Sequence, residues 1–221
     1  MTQEDVLIPK MKRLNNEKRK INIPVLNIIL PLFCVLLIIG STFLNLNIKH
    51  YIIPSGIFSE VLTHSDFIYE FNIIPQIPVL MLICSALGKK MATSTVILYI
   101  LCGLFFMPVF ALGGGISYFA QYSFGYILSF VPAIIVAGSF LQRKYSFLYM
   151  LFATLSAVLI IHVGGIIYFL IIALLKHDNG AFISTWIKSQ SGIKIIYDIV
   201  FSYVMVLAGK YINLFLKFVL K

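Results

Sequence analysis

Residues 84–130, CSALGKKMATSTVILYILCGLFFMPVFALGGGISYFAQYSFGYILSF, decide how the rest of the chain is read. A short apolar segment closes on Leu87-Gly88 and turns on Lys89-Lys90. A second, Val96 to Met107, stops at Pro108-Val109-Phe110-Ala111. Gly113, Gly114 and Gly115 follow, then an aromatic and polar loop, and Gly125-Tyr126 opens another apolar run. Proline ends a helix because it has no N–H to give and its ring clashes with the preceding turn. Consecutive glycines permit positive φ and let backbone or ligand come close. Between two hydrophobic spans, irregular backbone survives only when buried in protein or facing a water-filled hollow. The stretch therefore predicts a cavity wall at membrane depth.

Composition agrees with a bilayer. The 221 residues are 60% hydrophobic and 11% charged, with a mean hydropathy of +0.99, whereas a soluble domain carries about a quarter charged residues. The expected architecture is an all-α integral membrane protein: a basic tail over residues 1–23, then one domain of six transmembrane helices over residues 24–221. Cys34, Cys84 and Cys102 sit inside apolar runs and read as small core residues. The net charge of +9 is concentrated beside hydrophobic ends, so membrane topology explains it and no nucleic-acid partner is expected. The basic N-terminus leads into a span too long for a signal-peptide core, so no cleavable signal is expected.

Taken in order, Met1 to Ile23 carries Lys10, Lys12, Arg13, Lys18, Arg19 and Lys20 and is expected at an anionic lipid surface. The spans expected are Pro24–Leu44 (with Pro31 inside), Pro75–Leu87, Thr93–Met107, Phe124–Leu141, Phe147–Leu175 and Ile193–Val219, near the ~20 residues a crossing needs. Asn45 to Ile74 reads as a re-entrant or surface-lying connection with Glu60, His64, Asp66 and Glu70. Lys176 to Gly192 reads as a polar loop with Trp186 as an interfacial anchor. Six spans put the basic tail, Lys89-Lys90, Arg143-Lys144, Lys217 and Lys221 on one side against Glu4, Asp5 and Glu17. Basic short loops mark the cytoplasmic face. The expectation is a multi-pass plasma-membrane protein with both termini cytoplasmic.

Asp198, inside the last span, is the first candidate site residue, because a carboxylate there costs several kcal/mol unless paired or facing water. Lys194 lies four residues earlier on the same helix face. Two readings stand: a polar floor for a ligand, with Lys194 drawing a carboxylate, or an ion pair at a helix start. The loop Gly113 to Tyr126 is the second candidate. Tyr118, Phe119, Tyr122, Phe124 and Tyr126 offer ring faces, and Gln121 and Ser123 offer hydrogen bonds. A mostly apolar hollow with a few placed polar groups is the usual small-ligand design; an aromatic belt is the competing reading. Gln76 and Gln190, near span ends, add polar contacts. His162 reads as an interhelical hydrogen-bonding residue, with no second ligand at metal spacing. No Walker A, H-E-x-x-H or G-x-S-x-G sequence is present, so neither ATP hydrolysis nor another enzymatic activity, and no cofactor, is expected of this chain. Two functions beside small-ligand capture stay open at this point: a membrane enzyme acting on lipid-like substrates around Asp198 and His162, and a structural assembly subunit without a pocket.

Leu87, Gly88, Lys90, Tyr99, Gly103, Pro108, Val109, Phe110, Ala111, Gly113, Gly114, Gly115, Gly125, Tyr126 and Phe130, in this order, resemble the BioY family. Those are the biotin-binding membrane subunits (S components) of energy-coupling factor transporters. The resemblance is closest over Pro75 to Gly138, continues in register to about Val204, and includes the Pro75-Gln76-Ile77-Pro78 entrance. It implies an outward-facing pocket for biotin, with another small vitamin or precursor as the alternative ligand, a transmembrane coupling protein and two ATPase subunits as partners, and substrate-binding roles for Asp198 and the loop Gly113 to Tyr126. The chain departs from the family at three places. The lysine usual three residues after the acid is Phe201, Gln121-Tyr122-Ser123-Phe124 replaces a Gly-Pro-Thr-like run, and the first span has no Ala-x-x-x-Ala.

Overall fold

A computed structural model of the chain describes residues 24–51, 53, 67–143 and 146–219. The basic tail 1–23, Glu60, His64, Asp66, Lys144 and Lys221 lie outside the described residues. Residues 31–221 form one compact unit; residues 24–30 are the opening turns of the first helix.

The helices are α1 (Pro24–Phe43), α2 (Gln76–Leu87), α3 (Lys89–Phe105), α4 (Phe124–Leu141), α5 (Phe147–Leu175), α6 (Gly180–Ser191) and α7 (Lys194–Val219). The boundaries expected for α4 and α5 coincide with the observed ones; α3 begins four residues earlier than expected, at Lys89. Helices α4 and α5, and the run Gly180–Phe218 that contains α7, are long and apolar enough to cross a membrane. Helices α2 and α3, at 12 and 17 residues, fall short of the ~20 residues of a full crossing. They are joined at Gly88, whose φ of 83° suits glycine and reverses the chain within one residue.

Patterning explains which faces pair. In α1, Cys34, Val35, Ile38, Ser41 and Thr42 are buried while Leu32, Phe33, Leu36 and Phe43 are exposed, an apolar helix with one protein-facing and one lipid-facing side. In α5, Ala153, Ala157, Gly165 and Ala173 share the buried stripe, and Leu159, Val163, Ile167 and Ile171 the exposed one. Small residues let helix backbones approach closely in a membrane. The contact between α4 and α5 is the most extensive in the molecule. A Cβ added at Gly125 would strike Tyr168, and one at Gly165 would meet the Tyr126 ring at 2.6 Å. The second large contact joins α2 to α7, where Ser85 donates to the Val206 carbonyl at 2.7 Å.

Two expectations are corrected. The all-α expectation gives way within the connection 45–74, where Leu46–Tyr51 (β1) and Ile68–Ile73 (β2) pair as an antiparallel hairpin, with Leu46 opposite Ile73 and Lys49 opposite Glu70. The fold is therefore mostly α with one small sheet. The sequence IYEFNI alternates with the period of a strand, and Phe71 and Ile73 turn inward to near-complete burial. A lone hairpin is marginal in water; here Phe71 packs on Tyr197 of α7 at 5.2 Å between ring centroids. The stretch 176–192 is also not a plain loop, since it contains α6. Asn179 caps it by accepting from the Phe182 N–H at 2.7 Å, and Lys188 sits in the last turn, where a cation complements the helix dipole.

Candidate ligand-binding site

A hollow of about 370 Å³ opens at one end of the bundle, where α2, α4 and α7 begin and the hairpin leaves α1. Its volume lies within the usual range for small-ligand pockets. One wall is aromatic: Tyr118, Tyr122, Tyr126, Phe130 and Trp186. Behind it Trp186 stacks on Phe169 at 4.0 Å and 7°, and Tyr122 meets Phe169, Phe182 and Trp186 at 5.5 to 6.2 Å. Edge-on and offset rings hold one another in place and add about 0.5–1.5 kcal/mol per pair beyond their burial. Tyr122 is fixed at its far end, donating to Asp178 Oδ2 at 2.7 Å with Lys176 Nζ 4.1 Å above its ring. The bond to Asp178 raises the Tyr122 hydroxyl pKa above its ordinary value.

The floor is polar and connected. His162 of α5 places Nε2 3.1 Å from Asp198 Oδ2 and Nδ1 2.9 Å from Ser191 Oγ, and Ser191 is 2.6 Å from the Tyr126 hydroxyl. One assignment satisfies every group: Tyr126 donates to Ser191, Ser191 to Nδ1 of neutral His162, and the Nε2–H to Asp198. The chain joins α4, α6, α5 and α7, with His162, Ser191 and Asp198 all buried. Asp198 Oδ1 accepts no hydrogen bond among the described residues, so the carboxylate reaches the hollow with an open acceptor. Lys194, one turn earlier, lines the same wall and forms no ion pair among the described residues. Asp198 is hydrogen-bonded to His162 and forms no ion pair with Lys194. Opposite, the Gln76 amide donates to Thr42 Oγ1 at 2.5 Å and to the Tyr99 hydroxyl at 3.0 Å, which fixes its orientation at the wall.

Asp198, Lys194, Gln76, Tyr118, Gln121, Tyr122, Tyr126 and Gln190 all line this hollow. Gly113, Gly114 and Gly115 do not. Their position is behind the wall, where the Gly115 N–H donates to the Gly103 carbonyl at 2.8 Å. A Cβ at Gly114 would meet Gly103 O at 2.6 Å and Pro108 Cα at 2.7 Å, so the glycines let the loop lie flat on α3 and present Ala111 and Leu112. Sequence reasoning passed over Asn45 and Asn72, which line the hollow from the base of the hairpin. The strand alternation around Asn72 was the available signal. Trp186 and His162, read as an anchor and an interhelical bridge, both line the hollow as well. Phe201 is not on the wall; it lies beside Tyr197 at 6.3 Å.

Ser191, His162 and Asp198 have the hydrogen-bond order of a nucleophile, base and acid. Ser191 does not line the hollow and its hydroxyl is already bonded to Tyr126. The relay locks the floor and aims Asp198; it presents no nucleophile to a bound molecule.

The model of the BioY family matches residues 20–217. A putative biotin transporter, BioYB, of Bacillus subtilis (strain 168) is 46% identical over 59 residues, 26% of this chain and 30% of that protein. A probable biotin transporter, BioY, of Lysinibacillus sphaericus is 40% identical over 57 residues, 26% of this chain and 29% of that protein. The matched segments thus span under a third of those relatives. The fold is similar to the crystal structure of the S-component for biotin from an ECF-type ABC transporter. That match has a TM-score of 0.61 at 21% identity and covers 87% of this chain and 93% of that one. With the family model spanning nearly the whole chain and the backbone following the same fold, the chain belongs to the BioY family.

Proposed function

We propose that this protein is the substrate-binding membrane subunit for biotin uptake, an S component powered by the ATPases of an energy-coupling factor transporter through a transmembrane coupling protein. The observation that carries this reading is the Asp198 carboxylate, buried and aimed by His162, with one oxygen open toward an aromatic-walled hollow that Lys194 also lines. Biotin needs what that wall offers. Its cyclic urea presents two N–H donors to an acceptor such as Asp198 Oδ1, and its carbonyl takes donors such as the amides of Asn45, Asn72 or Gln190. The thioether ring suits Trp186, Tyr122 and Phe130, and its carboxylate suits Lys194, which takes over from the family's lysine at the position of Phe201.

The membrane arrangement follows from charge. Six crossings, with α2 and α3 the short ones, put the hollow on the side opposite Lys89, Lys90, Arg143 and Lys217, hence facing outward with both termini cytoplasmic. Short helices at membrane depth are tolerated where neighbours cover their ends. A family of transporter components and a serine held off the wall both argue against the enzymatic alternative.

Titration of the purified full-length protein with biotin, with other vitamins as competitors, tests the reading. Saturable one-to-one biotin binding is expected, undisturbed by excess competitors. Displacement of biotin by a hundredfold lower concentration of another vitamin would assign the hollow to that ligand, and loss of all vitamin binding would end the proposal.

A further inference from the structure

At the opposite end of the same helices lies a second hollow of about 340 Å³, between the C-terminal ends of α2 and α4 and the last turns of α7. Three cations line it: Arg143 just past α4, and Lys210 and Lys217 on α7. No acid lines it, and the described acids, Glu70, Asp178 and Asp198, belong to the hairpin, the α6 approach and the first hollow. None of the three cations forms an ion pair among the described residues. We infer that this hollow binds a phosphate-bearing anion.

Charge alone does not decide the matter, because two helix C-termini close here and carry partial negative charge. The structure neutralises them from within. Lys210 Nζ donates to the Leu141 carbonyl and Asn213 Nδ2 to the Ala86 carbonyl, each at 2.6 Å. An anion entering the hollow therefore meets capped carbonyls. Lys210 retains two of its three N–H groups after that bond. Arg143 lays its guanidinium over the rings of Phe140 and Tyr149, 5.9 and 5.4 Å from their centroids. Its N–H groups make no hydrogen bond among the described residues and are left for an anion. A guanidinium edge matches two phosphate oxygens at once. Gly88 also lines the hollow and precedes the first turn of α3, which has no side-chain cap and whose N–H groups favour an anion.

Phosphate can arrive on a lipid headgroup or free in water. Leu141 and Leu214 on the wall give an acyl stem an apolar path, and basic pockets between membrane helices take anionic headgroups. The two sources separate in one experiment. The purified full-length protein is exchanged into mild detergent and offered phosphatidylglycerol, phosphatidylcholine or inorganic phosphate, with retention read by native mass spectrometry and melting. Wild-type protein is expected to retain phosphatidylglycerol over phosphatidylcholine. The double variant Arg143→Gln, Lys217→Gln, with helix content checked by circular dichroism, is expected to bind it at least tenfold more weakly. A control pair at the other end, Lys49→Gln, Lys188→Gln, removes equal charge and should leave retention intact. Saturation by inorganic phosphate alone, lost in the same double variant, supports the site and assigns it to a soluble anion. Equal retention of phosphatidylcholine, or equal weakening in the two double variants, overturns the inference.

Discussion

Helices α2, α4 and α7 each run from one hollow to the other, so the two ends of the bundle are built from the same elements and differ in what their polar groups do. At the first end, side chains bond mainly to side chains: Tyr126 to Ser191, Ser191 to His162, His162 to Asp198. That arrangement leaves a carboxylate oxygen and an ammonium free for something that comes and goes. At the second end, the polar groups of α7 bond to backbone: Lys210 to Leu141 and Asn213 to Ala86. Those carbonyls are helix ends with no intrahelical partner, and the bonds belong to the fold. Asn213 thus serves the backbone, while Lys210 caps a carbonyl and keeps two N–H groups for an anion.

Substitution at the two ends should separate these roles. Replacing Asp198 with Ala removes the only open carboxylate oxygen among the residues lining the hollow and strands His162. Charge-assisted hydrogen bonds contribute about 1.5–3 kcal/mol, so biotin affinity is expected to fall roughly tenfold to a hundredfold, read by titration of the purified protein. Affinity within threefold of wild type would remove Asp198 from the site. Asn213→Leu at the second end takes from the buried Ala86 carbonyl the donor it has in Asn213. The expected cost is about 1–3 kcal/mol of stability, seen as a lowered melting temperature, with biotin affinity held. A large affinity loss from Asn213→Leu would erase the distinction between the two ends.

Trp186→Ala sharpens the comparison within the first end. It deletes the ring stacked on Phe169 and opens the aromatic wall; of the polar floor it touches only the ring of Tyr126, at 5.9 Å, and none of its hydrogen bonds. With about 0.5–1.5 kcal/mol in the ring contact, up to roughly a tenfold loss of affinity is expected. The heat of binding should change more in Asp198→Ala than in Trp186→Ala; the reverse order in calorimetry would mean that the wall, and not the floor, directs recognition.

What the sequence made legible followed from periodicity and cost. Apolar runs of helix length gave α4 and α5 to the residue, and Asp198 drew notice because an intramembrane acid needs a reason. Side chains around it were less legible. Lys194 lies at helical spacing from Asp198, yet the hydrogen bond to Asp198 comes from His162, which sits on another helix 36 residues away and leaves no local pattern. The three glycines stood out by composition, and composition cannot tell a wall from the backing of a wall; the close approach of Gly114 to Gly103 and Pro108 depends on the folded loop. The hairpin was hidden because six-residue strands in a mixed connection carry far less signal than a membrane helix.

That hairpin supplies the smallest effect and the most directional one. Lys49 and Glu70 face each other across β1 and β2, 2.8 Å apart and both exposed. The hydrogen bond from Lys49, with its charge, lowers the Glu70 pKa, and the same bond raises that of Lys49. A carboxylate with a lowered folded pKa stabilises fully above its unfolded value, about 4.3, and loses the contribution as pH falls through the lowered value. A lysine with a raised pKa stabilises fully below about 10.4 and loses it as pH rises through the raised value. The pair is therefore constant across neutral pH and weakens only at the extremes. Melting temperatures of wild type and Glu70→Gln should differ by a small, constant amount from pH 6 to 9. Below about pH 4 the difference should shrink as Glu70 itself becomes neutral, and salt should diminish it throughout because exposed pairs are screened. A difference that persisted undiminished into acid would show that Glu70 holds the hairpin by hydrogen bonding alone, placing this pair with the backbone-satisfying groups of the second end and not with the charged ones of the first.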